Sequence, residues 1–265
     1  VPGEIHLDLV RAGKMAQPLV GINAQKSRWP EARSWWYRRT FTVADRFLAL
    51  EQQQLIFEGI DLFGQVFLNG DLIGECRNAF IPAVFDLRGL LQTGRNELVV
   101  RVTGGGELVP GDIPRKGPEP VESLYDNRQW NEGVRHLRKP QFTYGWDWVD
   151  ALPNIGIWRP VRLEGHSWAT IHDLRLDTVM HGRDVVVEMD AVIENLHPWS
   201  SRPCSLELIL QPPKGPAVKR TFTINAQVGR QQIADWLPLD KPQLWWPNGM
   251  GEQPLYQVTA RLLKG

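Results

Sequence analysis

Alternation of apolar and polar residues runs through most of this chain and constrains its fold more than any other feature. It is clearest in RDVVVEMDAVIEN, where every second residue is apolar: Val187, Met189, Ala191 and Ile193. Side chains on a strand point alternately to its two faces, so a period of two predicts a strand with one buried face. Convincing helical periodicity is nearly absent. The pattern therefore predicts an all-β chain built from sandwiches rather than from βα repeats.

The first part of the chain is predicted to form one β-sandwich over residues 1–166. In SWWYRRTFTV the apolar face runs from Trp35 to Val43. Asn69-Gly70 predicts a hairpin, because both residues tolerate positive φ. FDLRGLLQTG is predicted to form a short turn of helix that is capped by Asp86 and stops at Gly94. The strand in GIWRPVRLEG is predicted to end this domain.

The second part of the chain is predicted to form a separate sandwich over residues 167–265. Six segments are predicted to be strands: ATIHDLRLDTV, RDVVVEMDAVIEN, CSLELILQPP, AVKRTFTINAQ, GRQQIADWLPL and PLYQVTARLLKG. Six or seven short strands in about 100 residues are the signature of an immunoglobulin-like sandwich.

Charge and cysteine content exclude several function classes. Lys+Arg and Asp+Glu are each 30, so the formal net charge is zero. The absence of a basic face argues against nucleic acid or a membrane surface as partner, and the apolar stretches are too short to span a bilayer. Cys76 and Cys204 fall in different predicted domains and are predicted to be small buried side chains rather than a disulfide. Together with the absence of an N-x-S/T sequon, this favours a reducing, cytoplasmic compartment.

The common catalytic signatures are absent from the sequence. It contains no phosphate-binding glycine loop, no G-x-S-x-G and no C-x-x-C or H-E-x-x-H pair. The six histidines lack metal-ligand spacing, so no metal site is predicted. The carboxylates mostly alternate with apolar residues, and none stands out as an acid and nucleophile pair. No catalytic residue is predicted in this chain.

The stretch TYGWDWVD carries the strongest binding signal. An indole packs against the C–H face of a sugar, and a carboxylate accepts hydrogen bonds from neighbouring hydroxyls, so Trp146 and Asp147 supply both kinds of contact. Both reach one ligand only if the backbone bends, which Gly145 makes easy. Alternatively, Asp147 caps a turn or pairs with an arginine. Trp148 and Trp158 are predicted to be core residues, since Trp158 lies in an apolar strand beside Ile155 and Ile157.

Residues 104–140 interrupt the strand pattern with a stretch rich in glycine and proline. Connections of this length inside a compact domain are usually functional or disordered. Because this one leads directly into QFTYGWDW, it is predicted to be a functional loop. The alternative is a solvated excursion that closes one end of the sandwich.

Several motifs, in order, resemble glycoside hydrolase family 2 and, within it, the β-mannosidases. Residues 54–102 contain an F-E-G-I-D turn, an L-N-G hairpin followed by Gly74, F-D-L, and G-x-N before the last strand. RKPQFTYGWDWVDALPNIGIWRPVRLE resembles the β-mannosidase stretch that leads through R-K-x-Q and G-W-D-W to G-I-W-R-P. The segment LWWPNGMGEQPLY and the opening VPGEIHLDLVRAG are also typical of the family.

The resemblance implies an architecture for the whole protein. A jelly-roll β-sandwich of the galactose-binding-domain type precedes an immunoglobulin-like sandwich and then a (β/α)₈ barrel. The barrel carries the acid/base and nucleophile glutamates of a retaining mechanism, with the carboxyl groups about 5–5.5 Å apart. This chain stops at Gly265, about where the barrel should begin. It is expected to be a non-catalytic N-terminal region, inactive alone and without a cofactor, whose partners are a β-mannoside and the downstream barrel.

The resemblance also implies roles for the residues of the G-W-D-W motif. Trp146 and Asp147 match the pair that helps line the pocket for the terminal mannose, and Trp148 matches the second tryptophan, which supports the loop. One departure is Val149-Asp150, where the family usually has Gly-Pro, so Asp150 competes with Asp147 as the possible hydroxyl acceptor. For Trp245-Trp246, the expected role is packing against neighbouring domains.

The predicted function is therefore sugar recognition within an exo-acting β-mannosidase-like hydrolase. Two alternatives stay open. One is a stand-alone carbohydrate-binding module that needs no barrel. The other is a family 2 enzyme of different specificity, such as an exo-glucosaminidase or a galactosidase, because only the G-W-D-W stretch indicates mannose.

Overall fold

The computed structural model describes residues 1–108, 136–146, 148–182 and 184–264. The chain divides into two compact units, Val1–Ala49 with Gln53–Gly165 and Leu50–Gln52 with His166–Gly265. Strands dominate both units, so the all-β prediction is confirmed. Within the described ranges the helices are short, and none has the length and apolar character needed to cross a membrane.

Among its described residues, the first unit contains three short helices, several 3₁₀ turns and seven strands. In chain order the helices and strands are α1 (Ile5–Arg11), α2 (Asn23–Lys26), β1 (Trp35–Val43), α3 (Asp45–Leu48), β2 (Gln52–Phe57), β3 (Phe63–Leu68), β4 (Asp71–Cys76), β5 (Ala83–Asp86), β6 (Gly94–Thr103) and β7 (Val161–His166). The three helices were not predicted. Glu4 caps α1 by accepting from the amides of His6 and Leu7.

The strands of the first unit form two sheets that face each other as a sandwich. One sheet has the order β1-β6-β3-β4 and the other β5-β2-β7. Their inner faces share one core, to which both sheets contribute: Val43, Leu55, Phe57, Val66, Leu68, Phe85, Leu98, Val100 and Val102. In β1 the predicted alternation is confirmed, because Trp35 and Tyr37 pack against this core while Trp36 and Arg38 are exposed.

Local turn chemistry was predicted with mixed success. Asn69 and Gly70 have φ values of 54° and 98° and join β3 to β4, so the hairpin is confirmed. The prediction of a helical turn after Asp86 is wrong. The amide of Leu90 bonds to Leu87, but the chain makes only a turn there, and Gly94 begins β6 instead of ending a helix. Asp86 still accepts a hydrogen bond from the amide of Arg88 over 3.1 Å.

The second unit contains the six predicted strands, and each is confirmed. They are β8 (Ala169–His181), β9 (Asp184–Asn195), β10 (Arg202–Gln211), β11 (Val218–Ala226), β12 (Gly229–Leu239) and β13 (Gln257–Lys264). Two antiparallel sheets, β11-β10-β13 and β12-β9-β8, pack through a core of alternate side chains, among them Val187, Met189, Ile193, Leu206, Leu208 and Phe222. Cys76 and Cys204 are buried free thiols in their respective units, as predicted.

Candidate functional site

The G-W-D-W stretch lies on a loop of the first unit, residues 140–153, called here the Trp146 loop. The chain beside its C-terminal end is anchored on Asp61. The amide of Asp61 donates to the carbonyl oxygen of Gly156 over 2.9 Å, and the amide of Gly156 donates back over 2.8 Å. Just before the loop, Arg138 accepts a hydrogen bond from the amide of Ala79 over 2.8 Å. Both flanks of the loop are thus held by the sandwich.

The first half of the Trp146 loop is packed rather than extended. Gln141–Tyr144 form a 3₁₀ turn, in which the hydroxyl of Thr143 donates to the carbonyl oxygen of Pro140 over 2.7 Å. Tyr144 is buried in a small cluster with three other apolar residues, Leu62, Ala79 and Leu137. The amide of Leu152 donates to Thr143 over 2.9 Å, which joins the two sides of the loop.

The chain leaves this packed base at Gly145 and makes a tight turn. Gly145 has φ 115°, a conformation that residues with a Cβ rarely adopt. The amide of Trp146 then donates to Val149 over 3.0 Å, and the amide of Val149 donates back over 3.2 Å. The bend expected from Gly145 is therefore present.

The turn exposes two of the predicted site residues. Trp146 is 54% exposed and Trp148 is 79% exposed, so the structure brings both to one surface turn. Asp147 lies outside the described residues. Asp150 is described, and its carboxylate is exposed beside the turn.

The prediction that Trp148 and Trp158 are core residues is wrong. Trp148 belongs to the turn instead of a strand, and its indole faces solvent. Trp158 is 39% exposed. Its indole covers Gly59, and the Arg159 guanidinium lies 4.3 Å from the centre of its ring. Neither indole therefore lies in the core: Trp148 is on the loop, and Trp158 is at the outer edge of the sandwich.

A buried ion pair lies beneath the Trp146 loop and was not predicted. Lys139 Nζ is 2.8 Å from Asp61 Oδ1, and both side chains are almost completely buried. Burial lowers the pKa of Lys139 and raises that of Asp61, and the opposite charge of each partner counteracts these shifts. The sequence signal was weak, because only the R-K-x-Q resemblance drew attention to Lys139.

The site offers binding groups rather than catalytic chemistry. Exposed indoles accept the C–H face of a ring, and the nearby carboxylate of Asp150 accepts hydrogen bonds. Among the described residues, no group of three or more His, Cys, Asp or Glu side chains is arranged to hold a metal ion. The functional loop predicted over residues 104–140 falls mostly on residues 109–135, which lie outside the described ranges.

The tryptophans predicted to pack at a domain interface lie on a loop of the second unit. Trp245 and Trp246 are both exposed, and the indole of Trp246 packs against Gly251. The amide of Trp246 donates to the carbonyl oxygen of Glu252 over 2.9 Å. Their role at an interface stays a prediction.

The fold defines a class of protein, in which a galactose-binding-like jelly-roll sandwich is followed by an immunoglobulin-like sandwich. Residues 1–159 match the family described as "Glycosyl hydrolase 2 galactose-binding domain-like", and residues 169–265 match "Glycosyl hydrolases family 2". The chain belongs to glycosyl hydrolase family 2.

The chain is also similar to curated and solved members of the family. It is 31% identical over 276 residues to "Beta-mannosidase B" of Emericella nidulans and 30% identical over 270 residues to that of Thermothelomyces thermophilus, covering 100% of this chain and 30% of each relative. The crystal structure of "Beta-D-Mannosidase" from Dictyoglomus thermophilum matches with a TM-score of 0.85 and 33% identity, over 100% of this chain and 31% of that one.

A more distant structure shares the fold alone. The Amycolatopsis orientalis exo-chitosanase has a TM-score of 0.67 at 21% identity, over 98% of this chain and 28% of that one. The chain therefore spans about 30% of the length of the curated relatives it matches. It corresponds to the non-catalytic N-terminal region of β-mannosidase-like members of the family.

Proposed function

We propose that this chain helps recognise the terminal mannose of β-mannosides, as part of a β-mannosidase-like hydrolase. In the whole protein, a (β/α)₈ barrel cleaves the bond by double displacement, with two glutamates about 5–5.5 Å apart. That chemistry needs no cofactor. The names of the relatives, which are β-mannosidases, support this proposal.

One observation carries the proposal: the indole of Trp146 is exposed on a turn whose backbone is closed at Trp146 and Val149. An aromatic side chain on a fixed turn loses little conformational freedom when a ligand packs against it. Trp148 adds a second exposed indole at the same turn. Asp147 enters the proposal by its place in the sequence, as the acceptor for two sugar hydroxyls, with Asp150 as its competitor.

The chain alone is expected to have no hydrolase activity. A retaining mechanism requires one carboxyl group to protonate the leaving group and a second to attack the sugar. Incubation with an aryl β-mannoside tests this directly. Turnover that disappears in Asp147→Asn would place the chemistry in this chain and contradict the proposal.

A second candidate is a carbohydrate-binding module that works without a barrel. It is favoured by the exposure of Trp146 and Trp148 in this chain by itself. Calorimetry with mannose and manno-oligosaccharides separates the two functions. A dissociation constant of ~1 mM or below, about −4 kcal/mol, that is lost in Trp146→Ala would favour the module.

The matched control is Trp36→Ala. Trp36 is 60% exposed, which is comparable to Trp146, but it lies on the outer face of the four-stranded sheet. Loss of binding in both variants would indicate non-specific contact of sugar with exposed indoles. The absence of any binding to the unaltered chain would favour a partial pocket that the barrel completes.

Sugar preference needs its own comparison. The activity of the whole protein on mannosides, glucosaminides and galactosides is to be compared. The three substrate classes differ in the hydroxyl or amino groups that reach a carboxylate. Preference for mannosides supports the proposal. Preference for a glucosaminide or a galactoside would favour the alternative specificities.

A further inference from the structure

The Lys139 ammonium connects both sides of the Trp146 loop to a third segment. Lys139 precedes the loop and donates from Nζ to the carbonyl oxygen of Asn154, which follows the loop, over 2.7 Å. The same Nζ lies 2.8 Å from Asp61 Oδ1. One charged group thereby closes the loop on itself and attaches it to the segment between β2 and β3.

Asp61 completes this connection through its backbone. Its amide and carbonyl groups exchange hydrogen bonds with Gly156, two residues beyond Asn154. The side chain of Asp61 therefore holds the entry of the loop through Lys139, while its main chain holds the exit through Gly156. Both ends of the Trp146 loop converge on a single residue of the sandwich.

The Lys139 ammonium also lies close to Tyr144, the residue that precedes the binding turn. Lys139 Nζ lies 5.5 Å from the centre of the Tyr144 ring, within the range of a cation–π contact. Tyr144 is buried and precedes Gly145, after which the chain turns outward at Trp146. A displacement of the ammonium would therefore disturb the packed residue from which the turn starts.

Burial makes this arrangement depend on having both partners. The side chains of Lys139 and Asp61 are 0% and 4% exposed. A charge left alone in such a place is strongly unfavourable, whereas replacement of both partners by apolar residues is often tolerated. This difference allows the stability of the unit to be separated experimentally from the position of the loop.

We propose that Lys139 is a positioning residue, which through Asp61, Asn154 and Tyr144 fixes the orientation of the turn that presents Trp146. The inference rests on the proposed sugar-binding function of that turn. The Lys139 side chain is completely buried, so it acts through these neighbours rather than on the sugar. Its contribution is to keep the exposed indole in the one orientation in which it serves a sugar.

The test uses the double variant Lys139→Met/Asp61→Leu, which removes the charges but fills the same space. The expected result is a melting temperature close to that of the unaltered chain, with at least tenfold faster hydrogen exchange at the amides of Trp146, Val149 and Leu152. The amide of Val100 in β6 serves as the internal reference and should not change. Arg162→Met, which removes the more exposed ion pairs with Glu58 and Glu164 in the same unit, is the control for loss of charge.

Two results would overturn the proposal. One is unchanged exchange in the loop of the folded double variant, and the other is an equal acceleration at Val100. Asp61→Asn, which keeps the shape of the side chain and loses only its charge, provides a second variant that leaves the Lys139 ammonium buried without its counter-charge. It should accelerate exchange in the loop at least as much as the double variant and also lower the melting temperature. An unchanged loop would again contradict the inference.

A binding measurement distinguishes this inference from the proposed function. For a manno-oligosaccharide that the unaltered chain binds, the double variant should raise Kd about tenfold, whereas Arg162→Met should leave it unchanged. Faster loop exchange with an unchanged Kd would contradict the positioning role. Faster loop exchange in a whole protein that binds no mannoside would contradict the proposed function alone.

Discussion

The amides of Trp146 and Val149 each donate to the other's carbonyl oxygen, over 3.0 and 3.2 Å. This reciprocal pair closes the backbone beneath the exposed indoles, so that the surface on which they lie is ordered before any ligand arrives. Ordering in advance reduces the entropy that is lost on binding. The exposed tryptophans therefore lie on a turn with a closed backbone, which isolated aromatic side chains on a surface lack.

Two tryptophans of the same unit should respond differently to truncation. Trp146→Ala is expected to change the free energy of unfolding by less than about 0.5 kcal/mol, because the exposed indole has few contacts to lose. Trp158→Ala is expected to cost about 1.5–3 kcal/mol, because this indole covers Gly59 and is more buried. Urea denaturation followed by circular dichroism checks both values. Equal losses would show that Trp146 packs more than the structure indicates.

The contact between Gly59 and Trp158 should not tolerate a methyl group. A Cβ added at Gly59 would lie 2.6 Å from Trp158 Nε1. Gly59→Ala is therefore expected to destabilise the first unit by about 1–3 kcal/mol through overpacking. Gly106→Ala is the matched control, because a Cβ there meets no atom within 4 Å. A melting temperature for Gly59→Ala equal to that of the control would refute the contact.

The cap of α1 should make part of the stability depend on pH. Burial raises the pKa of Glu4, but hydrogen bonds from His6 and Leu7 outweigh it, so the net pKa lies below the ordinary value of 4.5. A carboxylate with a lowered pKa stabilises the fold above its unfolded pKa, and this contribution is lost as pH falls through the folded pKa.

Glu4→Gln tests this dependence. The variant is expected to be less stable than the unaltered chain by about 0.5–2 kcal/mol at pH 7, and the difference should shrink toward pH 3. Chemical denaturation at the two pH values measures it. If the difference in the free energy of unfolding were the same at both pH values, the charge of Glu4 would not contribute to stability.

The two cysteines should resist thiol reagents in the folded chain. Burial raises the pKa of the Cys76 thiol to about 11 and also raises that of Cys204. Both side chains are buried, so little thiolate is present or accessible at pH 8. Labelling with a chromogenic disulfide is expected to modify neither thiol in buffer and both in denaturant. Rapid labelling of one thiol in buffer would reveal local opening around it.

The strands were largely predictable because their signal is local. In β9 the alternation from Val187 to Ile193 directly reports which side chains face the core. The hairpin at Asn69-Gly70 was predictable for a similar reason, since positive φ at two adjacent residues depends on residue type. The short helix α1 was not predicted, because seven residues are too few for a periodic pattern to appear.

The candidate site was only partly predictable. The residue types in G-W-D-W indicated contact with a sugar, and the resemblance to a family strengthened that indication. The pairing of Lys139 with Asp61 depends on tertiary structure, because the two residues are far apart in sequence and a lysine is rarely buried. The exposure of Trp148 and Trp158 depends on tertiary structure too, and the apolar neighbours of Trp158 in sequence led to the incorrect prediction that both lie in the core.

The convergence of Lys139 and Gly156 on Asp61 separates the tip of the loop from the rest of its unit. Residues 146–150 at the tip can be exchanged as a block without rebuilding either sheet, because the packed side chains of Tyr144 and Ile155 lie outside that block. A protein designer who wants to alter sugar preference therefore has a cassette with fixed attachment points, provided that the three anchoring residues are retained.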